Sequence, residues 1–164
     1  MSAEQVSSRE RRIRQFDHYV ELMQHRTLDL EKKADSFLVF SVKAPPEVRP
    51  RIGGAENRIV QFAFTENGFY LDLPDTTLTL DEAKLAVAER PGFGFALNKS
   101  KKRLGERQFD PVQRQYQYAQ HRIAAEDAAY VFFDLWKAPL DAYIMVSAAT
   151  FETSHRWETD FSLG

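Results

Sequence analysis

The sequence predicts an α+β fold: a curved antiparallel β-sheet flanked by helices, in the order α-β-β-β-α-β-β-α-β. Three observations predict it. Apolar residues that alternate by three and four positions indicate a long N-terminal helix. An Asn-Gly pair between two short apolar runs indicates a β-hairpin. A Thr-x-x-Glu capping box indicates the start of a second helix. Helices and strands therefore share one chain.

The N-terminal helix is predicted over residues 7–35. Ser7 or Ser8 is a suitable cap, and the helix ends near Asp35. One side carries a narrow stripe that consists of Ile13, Phe16, Val20, Met23, Thr27, Leu30 and Ala34. We favour packing of this stripe on the protein's own sheet. The alternative is a seam for a second helix, from a twin subunit or a partner. That dimer or partner seam consists of Ile13, Phe16, Val20, Met23 and Leu30.

The middle of the chain predicts three strands and a helix. A β-branched and aromatic run indicates a strand over 36–43, and the prolines and glycines of 44–54 form a loop. Strands over 58–64 and 69–73 form the hairpin, because Asn67 and Gly68 both tolerate a positive φ. Thr79 and Glu82 then open a helix that stops at Arg90-Pro91.

The last third needs a choice between helix and strand. A strand is predicted over 93–97, and a basic stretch follows. A helix extended back to Pro111 would place Val112 and Ala119 on its charged side, so we split the segment into a strand over 112–119 and a helix over about 121–137. A final strand is predicted over 142–151. The aromatic tail over 152–164 is predicted to be ordered.

Composition limits the class of protein. A chain of 164 residues with 43% hydrophobic residues and 13 Phe forms one domain, residues 1–164. The net charge of -2 excludes a globally basic nucleic-acid binder. The absence of cysteine suits a reducing compartment, and we see neither a secretory signal nor a membrane helix. We therefore expect a bacterial cytoplasmic protein.

Three segments resemble the type III secretion chaperone-like domains and related bacterial chaperone-like families. They are Arg58-Ile-Val-Gln-Phe62, Leu78-Thr-Leu-Asp-Glu-Ala83 and Ala124-Ala-Glu-Asp-Ala-Ala-Tyr-Val-Phe-Phe-Asp-Leu-Trp136. Together with the element order, the resemblance covers about residues 10–150. It implies a non-catalytic, often dimeric domain that grips a partner polypeptide. The Pro-rich loop over 44–50 and the strand after 141 depart from the family pattern, so no functional residue is carried over.

The loop over 99–107 has the highest charge density of the chain. It carries five cations against one acid, and these cations are Lys99, Lys101, Lys102, Arg103 and Arg107. Such a loop is able to dock an acidic peptide or a phosphate backbone. The alternative is a solvated hairpin loop with no binding role, which we favour.

Two clusters of residues contain groups suited to metal binding or acid–base chemistry. His18, Glu21 and His25 lie near one another on the first helix but leave a metal site incomplete, so we predict no metal and no cofactor. Glu126, Asp127 and Asp134 lie near one face of the last helix. Because Arg122 and Lys137 are suitably spaced to pair with Glu126 and Asp134, we interpret this face as solvent-exposed.

The sequence predicts a protein-interaction module without catalytic activity. A chaperone-like or adaptor role, as a possible homodimer, is the first hypothesis, and a toxin-neutralising immunity protein is the second. Nucleic-acid binding through the 99–107 loop is a less favoured third. That third hypothesis predicts steep salt dependence and loss of binding when Lys101, Lys102 and Arg103 become Glu.

Overall fold

The computed structural model describes residues 2–29, 36–96, 109–150 and 156–163, with the backbone alone at 29, 149–150 and 156–163. These residues form a mixed α+β fold, as predicted. The helices are α1 (Ala3–Asp29), α2 (Leu80–Glu89) and α3 (His121–Ala129). The strands are β1 (Ser36–Lys43), β2 (Asn57–Thr65), β3 (Gly68–Leu73), β4 (Gly94–Phe95), β5 (Val112–Tyr116), β6 (Ile144–Thr150) and β7 (Arg156–Leu163).

All seven strands belong to one antiparallel sheet in the order β4-β5-β3-β2-β1-β6-β7. Strand β1 lies between β2 and β6, with Val39 opposite Gln61 on one side and Ser147 on the other. The antiparallel sheet confirms the predicted fold class. Sequential strands β1, β2 and β3 are neighbours, as short connections favour.

The three helices pack against one face of this sheet. Alternate strand residues such as Leu38, Phe40 and Phe62 point into the core and are completely buried. Phe16 of α1 lies over Phe40, with the ring centroids 4.9 Å apart. It also stacks on Phe132, which follows α3, at 5.6 Å. The core therefore lies between the sheet and a layer formed by α1, α2 and α3.

Helix α1 begins earlier than predicted. Its first residue is Ala3, so Ser7 and Ser8 are not caps. Ser2 is the cap instead: its hydroxyl accepts a hydrogen bond from the Gln5 amide at 3.1 Å, and the Gln5 side chain accepts one from the Ser2 amide at 2.8 Å. This reciprocal pair satisfies two amides that a helix start leaves free. The predicted end near Asp35 lies outside the described residues.

The hairpin forms where it was predicted, although the turn chemistry differs. Thr65 and Gly68 are already paired, so the loop consists of Glu66 and Asn67. Gly68 has a φ of 152°, whereas Asn67 does not adopt a positive φ. A Cβ at Gly68 would lie 2.7 Å from the Tyr116 carbonyl oxygen. Glycine is required here because β5 approaches β3 closely.

The capping box of α2 is confirmed. The Thr79 hydroxyl accepts from the Glu82 amide at 3.2 Å, and the Glu82 carboxylate accepts from the Thr79 amide at 2.9 Å. Glu82 also accepts from Arg58 of β2 at 2.6 Å. One carboxylate therefore caps α2 and ties this helix to the sheet.

The split of the 112–137 segment is confirmed, with shorter elements. Strand β5 ends at Tyr116, because Tyr118–Gln120 form a 3₁₀ turn. Helix α3 continues as a π-helical segment over Tyr130–Leu135, two residues short of the predicted end. Lys137 then takes a positive φ of 58°, which ends the helical path.

Three predicted strand assignments are corrected. Strand β4 has two residues, where 93–97 was predicted, and Leu97 lies outside the described residues. Strand β6 begins at Ile144, two residues after the predicted start at 142. The tail contains β7, which pairs with β6 and is absent from the predicted order. An edge strand of the sheet offers free backbone groups, and the tail satisfies them.

Candidate binding surface

The second face of the sheet carries none of the three described helices. On this face Ser41 of β1 pairs with Ile59 of β2 and Met145 of β6. Val39 pairs in the same way with Gln61 and Ser147, so two rows cross three neighbouring strands. We call these six residues the neutral patch: Val39, Ser41, Ile59, Gln61, Met145 and Ser147.

The neutral patch contains no charged residue, in a chain of which 28% of the residues are charged. Met145 is 44% exposed, and Tyr143, just before β6, is 63% exposed. Depletion of charge together with Met and aromatic residues is typical of the centre of a protein interface. The patch is therefore the best candidate for a binding surface among the described residues.

Sequence reasoning missed this patch, although one signal was present. Strand β1 has apolar residues on both sides, with Phe37 and Val39 alternating with the buried Leu38 and Phe40. A sheet that faces water on one side alternates apolar with polar residues. The nearly continuous apolar run thus indicated a second face suited to contact.

The predicted helix seam is buried in the protein's own core. Ile13, Phe16, Val20 and Met23 are each at most 7% exposed. This placement agrees with the favoured interpretation and leaves these four side chains no surface for a second helix. Thr27, the polar member of the stripe, donates to the Met23 carbonyl at 2.8 Å and contacts the Ser36 hydroxyl at 2.5 Å. Leu30 and Ala34 lie outside the described residues.

The predicted basic surface also lies outside the described residues. This applies to Lys99, Lys101, Lys102, Arg103 and Arg107. Their role stays a prediction from the sequence.

Asp127 corrects the prediction of a solvent-exposed acidic face on α3. Its side chain is completely buried. One carboxylate oxygen accepts from the Nε and Nη2 atoms of Arg90. The other accepts from Arg114 at 2.9 Å and from the Tyr116 hydroxyl at 2.6 Å. Asp127 thus joins α2, β5 and α3, and all its strong acceptor positions are used structurally.

Glu126 and Asp134 do lie towards the outside of α3 and the segment after it. Glu126 pairs with Arg122 at 3.5 Å, as the four-residue spacing predicted. Asp134 pairs with Arg9 of α1 at 2.8 Å, so the predicted pairing with Lys137 is wrong. Lys137 lies beyond the helix, where three-residue spacing no longer brings side chains together.

Polar contacts join α1 to α3 along their exposed side. Arg122 donates two hydrogen bonds of 2.7 Å to Glu10, and this contact lowers the pKa of the Glu10 carboxyl. His121 Nδ1 lies 2.5 Å from Asp17, and its Nε2 lies 3.4 Å from Glu21. Glu21 therefore faces His121 and does not join His18 and His25. No group of three potential metal ligands is present among the described residues.

Two clefts among the described residues are large enough for a small molecule. One, of about 440 Å³, lies between the first turns of α1 and residues 140–141. The other, of about 290 Å³, lies beside Pro50 and Asp81. Both are open and lined by surface side chains such as Glu4, Arg11 and Arg51. Neither encloses a ligand, whereas small-molecule sites usually bury most of the ligand surface.

No known protein family, curated protein or solved structure matches this chain. Among the described residues, no helix has both the length and the apolar character needed to span a membrane. Function must therefore be argued from the surface itself.

The stability of the fold is expected to fall above pH 10, in part through Tyr116. Burial and the neighbouring Asp127 charge raise the pKa of the Tyr116 hydroxyl well above its usual value of about 10. The unfolded chain therefore loses this proton first, so stability is full below pH 10 and decreases as the pH rises towards the folded-state pKa. Urea unfolding between pH 9 and 11.5 measures the slope.

The Tyr116→Phe variant isolates that contribution. Its stability should fall less steeply above pH 10 than that of the wild type, by up to about 1.4 kcal/mol per pH unit. Tyr130, whose pKa is also raised by burial, supplies a remaining slope in both proteins. Identical slopes in the two proteins would contradict the assignment.

Proposed function

We propose that this chain is a non-catalytic protein-interaction module, chaperone-like or adaptor, that binds a partner polypeptide. The supporting observation is the neutral patch: a charge-free surface on the sheet face opposite the helices. Binding buries apolar side chains of the partner against Val39, Ile59 and Met145, and hydrophobic burial drives association. The resemblance of three sequence segments to chaperone-like domains favours the same role.

The ionisable groups of the described residues support a non-catalytic role. The one deeply buried carboxylate, that of Asp127, accepts hydrogen bonds from two arginines and a tyrosine. The carboxylates along α1 pair with Arg122 and His121. An acid or base committed to such contacts is poorly placed to exchange protons with a substrate. These groups instead connect the helices to one another and to the sheet.

A neutralising role towards a toxin is the second form of the same proposal. An immunity protein also acts by covering a surface of its partner, so both forms need the same patch. In either form the patch is the binding surface, and the cations of the 99–107 loop are needed only if an acidic partner is to be steered to it. The lack of cysteine suits action in a reducing bacterial cytoplasm.

Affinity capture from the native cell tests the proposal. The wild-type chain and its Met145→Glu variant serve as baits, with Leu85→Glu as the matched control. Leu85 is 49% exposed on α2, away from the patch, and Met145 is 44% exposed within it. A charge on the patch should lower recovery of the partner at least tenfold, which corresponds to about 1.4 kcal/mol of binding free energy.

The control bait should recover the partner as the wild type does. Equal recovery by the Met145→Glu bait would show that the patch is not the binding surface. Recovery that depends on nucleic acid and decreases steeply with salt would instead favour nucleic-acid binding through the 99–107 loop.

A further inference from the structure

We draw no further inference here: the strongest candidate, the completely buried Arg12 of α1 beside the open cleft between the first turns of this helix and residues 140–141, carries none, because its Nε and Nη1 atoms, which lack a hydrogen-bond partner among the described residues, are too deeply buried for a group bound in that cleft to reach.

Discussion

Replacing Asp127 by asparagine is expected to destabilise the fold by about 3–5 kcal/mol, the loss measured when one member of a buried ion pair is removed. Asparagine has the same shape but no charge. Arg90 and Arg114 would then face each other with no carboxylate between them, and both are largely shielded from water. The Tyr116 hydroxyl would also lose a charged acceptor. Urea unfolding of the wild type and the variant measures the difference.

The neighbouring Glu126→Gln variant is the control for Asp127. Glu126 is half-exposed and pairs only with Arg122 of its own helix among the contacts described. Exposed pairs of this kind contribute about 0.3–0.5 kcal/mol. An Asp127→Asn variant within about 1 kcal/mol of the wild type would show that the two arginines find other acceptors, and that Asp127 does not hold α2, β5 and α3 together.

The sequence predicts those elements whose signals are local. The Thr79 capping box and the Glu66-Asn67-Gly68 hairpin depend on residues within a few positions of one another, and both form. The stripe of α1 repeats over several turns, so periodicity predicts that Phe16 and Val20 share a covered side of the helix, while the choice between the sheet and a second helix as the cover was left open. The same reasoning correctly separates β5 from α3. Helices and strands can therefore be told apart from the sequence wherever the hydrophobic pattern is long enough.

Contacts between distant segments cannot be predicted from the sequence in the same way. Asp127 lies on the charged side of a helical projection, and its partners Arg90 and Arg114 are 37 and 13 residues away. No spacing rule connects them. A weak signal was present, because Asp127 is flanked by small residues that permit close packing. These are Ala124, Ala125, Ala128 and Ala129, and all four are completely buried.

The tail illustrates a signal that was present but not used. Over Arg156–Leu163, Trp157, Thr159 and Phe161 alternate with charged residues, which is the period of a strand. Whether such a segment becomes a strand depends on a free sheet edge, and β6 provides one. The neutral patch also depends on the assembled sheet, because its residues come from three strands and form one surface only in the register in which those strands pair.

Replacing Phe16 by alanine is expected to cost about 3–5 kcal/mol, because a large buried side chain is removed and a cavity remains. Phe16 contacts Phe40, Phe132 and Phe133, at centroid distances from 4.9 to 6.3 Å. Urea unfolding at low protein concentration measures this loss in the monomer. Leu22→Ala is the matched control on the exposed side of α1, where Leu22 is 41% exposed, and should change stability by less than about 0.5 kcal/mol. If the seam instead seated a second helix, Phe16→Ala would weaken self-association and leave the monomer as stable as before.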